Sequence, residues 1–136
     1  MGNEIFKITP QIQQVNKSLD SLPFFDLPTL VEKMKHEHSW ENGELNAMVL
    51  LKTPSNQMVL TILHSKTEIQ SFQANDSITF QIVEGCLTFH TRKKSIDLDK
   101  GQILSLRENI KYSLTAKEET VLLLIIESGA LEYSKN

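Results

Sequence analysis

The sequence predicts a mainly all-β domain, a sandwich or barrel of short strands behind a short N-terminal helical segment. Three observations predict it. All four prolines (Pro10, Pro23, Pro28 and Pro54) come early, and from Ser55 to Asn136 there is none. Proline removes a ladder donor and is kept out of central strands, so the proline-free stretch can be continuous sheet. From Met48 onward the apolar residues change from helical spacing to the alternation of strands. Turn residues interrupt that stretch at intervals of about 8–12 residues, the spacing of an antiparallel sandwich or barrel.

The helical segment spans Pro10 to Lys35. Pro10 follows Thr9, a capping residue, and Ile12, Val15 and Leu19 recur at spacings of three and four. Pro23 ends that helix, and a second starts at Asp26 or Leu27 before Pro28, with Leu27, Leu30, Val31 and Met34 on one apolar face. These helices either form an interaction arm or pack on their own domain, the second being the default.

Strands are expected at Met48–Lys52 and Met58–His64, joined by a turn at Pro54, Ser55 and Asn56. Ser77–Val83 alternates, with Ile78, Phe80 and Ile82 on one face, and Glu84-Gly85 turns the chain into Cys86–Thr91. Arg92-Lys93-Lys94 is a charged tip, followed by Ser95–Leu98, a turn at Asp99-Lys100-Gly101, and strands at Ile103–Leu106, Lys111–Thr115 and Thr120–Glu127. Val121 to Ile126 is unbroken apolar, which predicts a strand buried on both faces.

Of 136 residues, 40% are hydrophobic and 23% charged, enough apolar material for one ordinary core. The net charge of −3 argues against nucleic acid and gives no basic face for anionic membranes. No apolar run is long enough to span a bilayer, and Met1 to Pro10 does not read as a signal peptide. A single cysteine, Cys86, fits a reducing compartment, so a cytoplasmic setting is expected. No helix-turn-helix is evident, so a regulatory role would need a partner protein.

The stretch Ala47 to Ile126 resembles the cupin family, whose first motif carries a Gly, a His-x-His pair, a Glu and a closing Gly, and whose second carries a Gly, a His and an Asn. Lys66 falls at the first Gly, Phe72 and Ala74 at the two His, and Ile78 at the Glu, with Gly85 closing six residues further on. In the second motif Gly101 is matched, Arg107 and Asn109 fall at a Pro and a Gly, Tyr112 at the His and Ala116 at the Asn. The phrases Ile82-Val83-Glu84-Gly85 and Lys100-Gly101-Gln102-Ile103-Leu104 are the most typical, and 15 residues separate the motifs. The resemblance implies a cupin-like jelly-roll β-barrel over residues 46–136, behind a helical lead-in at residues 1–45. It also implies frequent homodimers.

The two His, the Glu and the last His of cupins hold a metal. Phe72, Ala74 and Ile78 have no donor atom, and a tyrosine phenol is a poor substitute for imidazole. The expectation is therefore no metal and no cofactor at this site. A rival His-x-His, His36-Glu37-His38, has Glu41 and Glu44 nearby, but it follows a helix whose dipole favours Lys and His in its last turn. A solvated helix end is the preferred reading.

With the Glu position pointing inward, Phe72, Ile78, Phe80, Ile82 and Tyr112 are expected to line an apolar pocket able to hold a small molecule. Binding or sensing of such a ligand is the leading function. The alternative is a metal-independent isomerase or epimerase using His64 and Tyr112 as acid and base, since some metal-free cupins that epimerise sugars use such a pair. A third reading is a structural or interaction protein with a filled barrel, acting as a dimer. His90 is expected on a solvated strand edge. The basic tip could attract an anion, though exposed hairpin charge also blunts an edge strand. Cys86 has no activating neighbour in sequence and is expected to be a buried, inert thiol. Trp40 could cap the barrel mouth or sit in a dimer interface.

Overall fold

The computed structural model describes residues 22–70, 77–107 and 110–127. The helix expected from Pro10 to Pro23 lies largely outside them, as do Phe72, Ala74 and Asn109.

Among the described residues two helices come first, α1 (Leu27–Met34) and α2 (His38–Asn42). Asp26 caps α1 with extended backbone, and a proline in the first turn costs no hydrogen bond there. The expected apolar face is the packed one: Met34 is fully buried, and Leu27, Leu30 and Val31 lie half against the same cluster. Helix α2 was not anticipated, because His-Ser-Trp-Glu-Asn has no apolar period.

Nine strands follow among the described residues: β1 (Leu45–Lys52), β2 (Asn56–Leu63), β3 (Glu68–Gln70), β4 (Ser77–Glu84) and β5 (Cys86–His90), then β6 (Ser95–Asp99), β7 (Ile103–Leu106), β8 (Ser113–Ala116) and β9 (Thr120–Glu127). They form two antiparallel sheets, ordered β1-β2-β9-β4-β7 and β3-β8-β5-β6. Strand β3 was missed from sequence because its only apolar residue is Ile69, and three residues show no alternation. The turn between β1 and β2 lies where Pro54, Ser55 and Asn56 predicted it, closed by a hydrogen bond of 2.8 Å from Thr53 N–H to the Asn56 carbonyl.

Alternation sends one side of each strand between the sheets. Val59 and Leu63 of β2, Ile78, Phe80 and Ile82 of β4, and Leu122 and Leu124 of β9 join Leu87, Phe89 and Leu114 of the second sheet in one buried cluster. The outer face of the first sheet carries a second cluster of Met48, Leu50, Leu60, Ile62 and Val121, which Met34 and Trp40 cover from the helices. Strand β9 is therefore buried on both faces over its first residues, as its unbroken apolar run predicted. Leu50, two residues after Met48, joins the outer cluster by alternation, and the register with β2 shifts by one residue between Val49 and Leu51.

Asn46, 2% exposed, fastens the lead-in to the sheet. Its amide donates to the Met34 carbonyl at 3.1 Å and to Glu37 Oε1 at 2.9 Å. An ion pair between Lys35 and Glu119 joins the end of α1 to the turn before β9. The described helices thus pack on their own domain. Among the described residues no helix is long and apolar enough to cross a membrane.

Candidate functional site

The inner row of the first sheet places four side chains side by side. Ala47 of β1 pairs with Thr61 of β2, Thr61 with Leu122 of β9, and Leu122 with Ile82 of β4. The next row runs Val49, Val59, Leu124 and Phe80. Beyond it Ile126 pairs with Ile78, which in turn pairs with Leu106. Thr61 is the one polar member of these rows and is 1% exposed.

The second sheet brings Tyr112, 7% exposed, against this surface just before β8. Its ring lies edge-on to Phe80 at 5.7 Å between centroids and stacks on Phe89 at 5.2 Å. Phe80 and Phe89 approach at 6.0 Å, so three aromatic rings meet between the sheets. Such geometries add about 0.5–1.5 kcal/mol per pair beyond the area they bury. Ile78, Phe80, Ile82 and Tyr112 therefore share one interior. Phe72, the fifth residue expected there, lies outside the described residues.

His64 does not join them. It ends β2 on the outer side, stacked on Trp40 at 3.4 Å with the planes 12° apart. Its Nε2–H donates to the Trp40 carbonyl at 2.8 Å. Trp40 belongs to the outer cluster and Tyr112 to the inner one. The expected acid–base pairing of His64 with Tyr112 is thus not formed. Leu63 points inward, so the next residue along the strand must point outward. Trp40 meets its own domain, covering His64 and the outer sheet face.

Two other expectations change. His90 is on β5, between β8 and β6, so it is on an internal strand rather than an edge. Cys86 is half-buried on the outer face of the second sheet instead of in the core, because Leu87 and Phe89 take the inward positions. A side-chain hydrogen bond to Asp99 raises the Cys86 thiol above its ordinary value, helped by burial and by the Asp99 charge. A raised thiol carries less of the reactive thiolate.

No family model matches the chain, and no curated protein matches it by sequence. Solved structures do. A cupin superfamily protein from Desulfitobacterium hafniense superposes with a TM-score of 0.64 at 16% identity, over 82% of this chain and 94% of that one. The cupin domain of Schizosaccharomyces pombe Cnp3 gives 0.62 at 17%, over 69% and 72%. A cupin-2 domain protein from Shewanella frigidimarina gives 0.62 at 16%, over 76% and 93%.

The chain has the cupin fold.

Its motif frame is visible in the backbone. Among the described residues, positive φ occurs at Lys66 (72°), Gly85 (93°) and Gly101 (87°). These are three of the four positions that the resemblance aligned with cupin glycines; the fourth, Asn109, lies outside the described residues. The left-handed turn survives at Lys66 although the glycine does not. Its N–H donates to the Ala116 carbonyl at 2.7 Å, which holds the turn against β8.

The ligand positions do not fit the metal that cupins carry. Ile78 offers no lone pair, and Tyr112 is enclosed by two aromatic rings. Phe72 and Ala74 are donor-free by chemistry. Among the described residues no three His, Cys, Asp or Glu side chains converge as a ligand set. His36-Glu37-His38 is not a strand: it links the end of α1 to the start of α2. His36 Nδ1–H donates to the Glu32 carbonyl at 2.9 Å, Asn42 donates to His38 Nε2 at 2.9 Å, and Glu37 is engaged by Asn46. This is the solvated helix end that the dipole argument favoured, with His38 opening α2.

Sequence reasoning missed Thr61. A threonine in an apolar strand reads as ordinary β-branched filler. Its phase with Val59 and Leu63 was the available signal that it points inward.

Proposed function

We propose that this cupin-fold domain binds or senses a small, largely apolar molecule between its two sheets. Ile78, Phe80, Ile82 and Tyr112 are the apolar walls of that site. The observation that carries the reading is the Thr61 hydroxyl. Among the described residues, the only buried side-chain polar atoms without a hydrogen-bond partner are Thr61 Oγ1 and Ser39 Oγ, and Ser39 is in α2, outside the sandwich. Leaving a buried hydroxyl unpaired costs about 1–3 kcal/mol. A ligand oxygen or nitrogen placed beside Ala47, the small neighbour of Thr61, would remove that penalty. The site would then have apolar walls and one polar hook, the composition of small-molecule pockets.

The test is a thermal-shift screen of metabolites on the wild-type chain and on Thr61→Val. A ligand that binds only the folded state raises the melting midpoint by mass action. The expected result is a concentration-dependent rise for the wild type that is much smaller for Thr61→Val. A screen in which no compound raises the midpoint overturns the reading. The same reading sets the protein in the cytoplasm, where a single unpaired thiol stays reduced, and has it act as a homodimer. Light scattering on the wild type and on Ile103→Asp checks the dimer, because Ile103 is 59% exposed on the edge strand β7.

A further inference from the structure

The outer face of the second sheet is polar, and one end of it is basic. Register aligns Gln70 of β3 with Ser113 of β8, Ser113 with His90 of β5, and His90 with Ser95 of β6. Ser95 Oγ holds His90 Nδ1 at 2.8 Å, which leaves Nε2 as the ring nitrogen available to a ligand. Just past the strand ends, Arg92 from the β5–β6 hairpin and Lys111 from the segment before β8 join this row around a cleft of about 390 Å³. Thr91 and Tyr112 complete its lining, the Tyr112 ring itself being turned into the core.

Among the described residues no acidic side chain lines the cleft. That is notable in a chain whose net charge is −3. Among the described residues the nearest carboxylates along the sheet are one row away. Asp97 there is occupied by Thr88 Oγ1 at 2.8 Å and Lys117 Nζ at 3.1 Å, and Glu68 faces Thr115. A guanidinium fork, an ammonium, an imidazole and neutral donors from Ser113 and Gln70 thus meet at one place. Arg pairs with carboxylate or phosphate through two parallel hydrogen bonds, and Lys adds a point charge. The hairpin tip alone is ordinary surface charge. Lys111 and Ser113, brought in by a different strand, make it a site.

We propose that this cleft binds an oxyanion, the carboxylate or phosphate of a small molecule. The proposal goes beyond the interior site and stands on the cleft alone.

The test is an NMR titration of the isotope-labelled full chain with sodium phosphate and, separately, sodium acetate, with sodium chloride exchanged to hold ionic strength constant. The expected result is saturable amide shifts at residues 90–92 and 111–113 with at least one of the two anions. Affinity should fall at least tenfold in Arg92→Glu/Lys111→Glu and in the milder Arg92→Gln/Lys111→Gln. It should hold in Lys52→Glu/Lys100→Glu, which changes the same charge away from the cleft. If acetate alone saturates, the group is a carboxylate; if phosphate alone, a phosphate. Non-saturable shifts with both anions, or equal loss in the remote variant, overturn the proposal. The titration uses no interior ligand, so its failure leaves the function proposed above standing, and failure of the thermal-shift screen leaves the cleft standing.

Discussion

Gly85 and Gly101 have nearly the same backbone and very different surroundings, which separates two costs that usually come together. Both have positive φ, 93° and 87°. An L-residue pays about 1–2 kcal/mol for that conformation. At Gly101 an added Cβ meets nothing within 4 Å. At Gly85 it would overlap the Glu119 carbonyl oxygen and lie 2.7 Å from Thr120 Cα. Those are backbone atoms, and the adjoining turn is tied down: Thr120 Oγ1 donates to the Cys86 carbonyl at 3.0 Å, and Lys117 N–H to the same carbonyl at 2.9 Å. Relief requires moving that turn or the start of β5, so overpacking adds about 1–3 kcal/mol or more. Alanine also stiffens the unfolded chain, which offsets about 0.4–1 kcal/mol at both sites. Gly101→Ala should therefore cost about 1 kcal/mol and Gly85→Ala about 2–4 kcal/mol. For a chain of this size that corresponds to roughly 3–5 °C in Tm for the first and roughly 8–16 °C for the second. Denaturant unfolding with an unchanged m-value measures both. Equal losses at the two sites would refute the claim that the close approach at Gly85, and not φ alone, requires glycine there.

Lys66→Gly should stabilise the protein by up to about 1 kcal/mol, since positive φ is free for glycine; no gain in Tm would mean that the Lys66 turn carries no strain. Thr61→Val, without any ligand present, should raise stability by about 1 kcal/mol by removing an unpaired hydroxyl at constant shape, and a loss of stability would show that Thr61 has a partner. Cys86 should react slowly with iodoacetamide at neutral pH because Asp99 holds its proton, and Asp99→Asn should speed the reaction; an unchanged rate would remove Asp99 as the cause. The Asp97 carboxyl is held below its ordinary 3.8 first by the Thr88 hydroxyl and then by Lys117. A lowered folded value means stability that is present above 3.8 and lost as pH falls through the folded value. Thr88→Val should move the Asp97 titration up toward 3.8, measured by carboxyl carbon NMR, and an unmoved titration would contradict the assignment.

The legible parts of this protein are those where one strand carries its own evidence. Ile78, Phe80 and Ile82 alternate strictly, so their common inward face followed from period two. Val121 to Ile126 lacks alternation, and the burial of both faces at the start of β9 followed from that, although Leu123 and Ile125 stay half-buried. The glycines of the resemblance marked two of the three left-handed turns, and Lys66 marked the third by position alone. Strand β3 and helix α2 were not legible, because three and five residues hold too few apolar positions to show a period.

By itself the sequence determined the strand alternation, the turns at Gly85 and Gly101 and the loss of donors at Ile78, because these depend on local backbone preference and side-chain chemistry. Only the tertiary structure decided which distant residues meet. It sent His64 outward onto Trp40 while Tyr112 turned inward onto Phe80 and Phe89, which parted a pair that looked catalytic on paper. It left the Thr61 hydroxyl without a partner among the described residues, and it brought Lys111 to the basic hairpin through the β5–β8 register. The physical reason is the same in each case. Alternation says which residues of a strand share a face, but strand order and helix packing decide what that face meets.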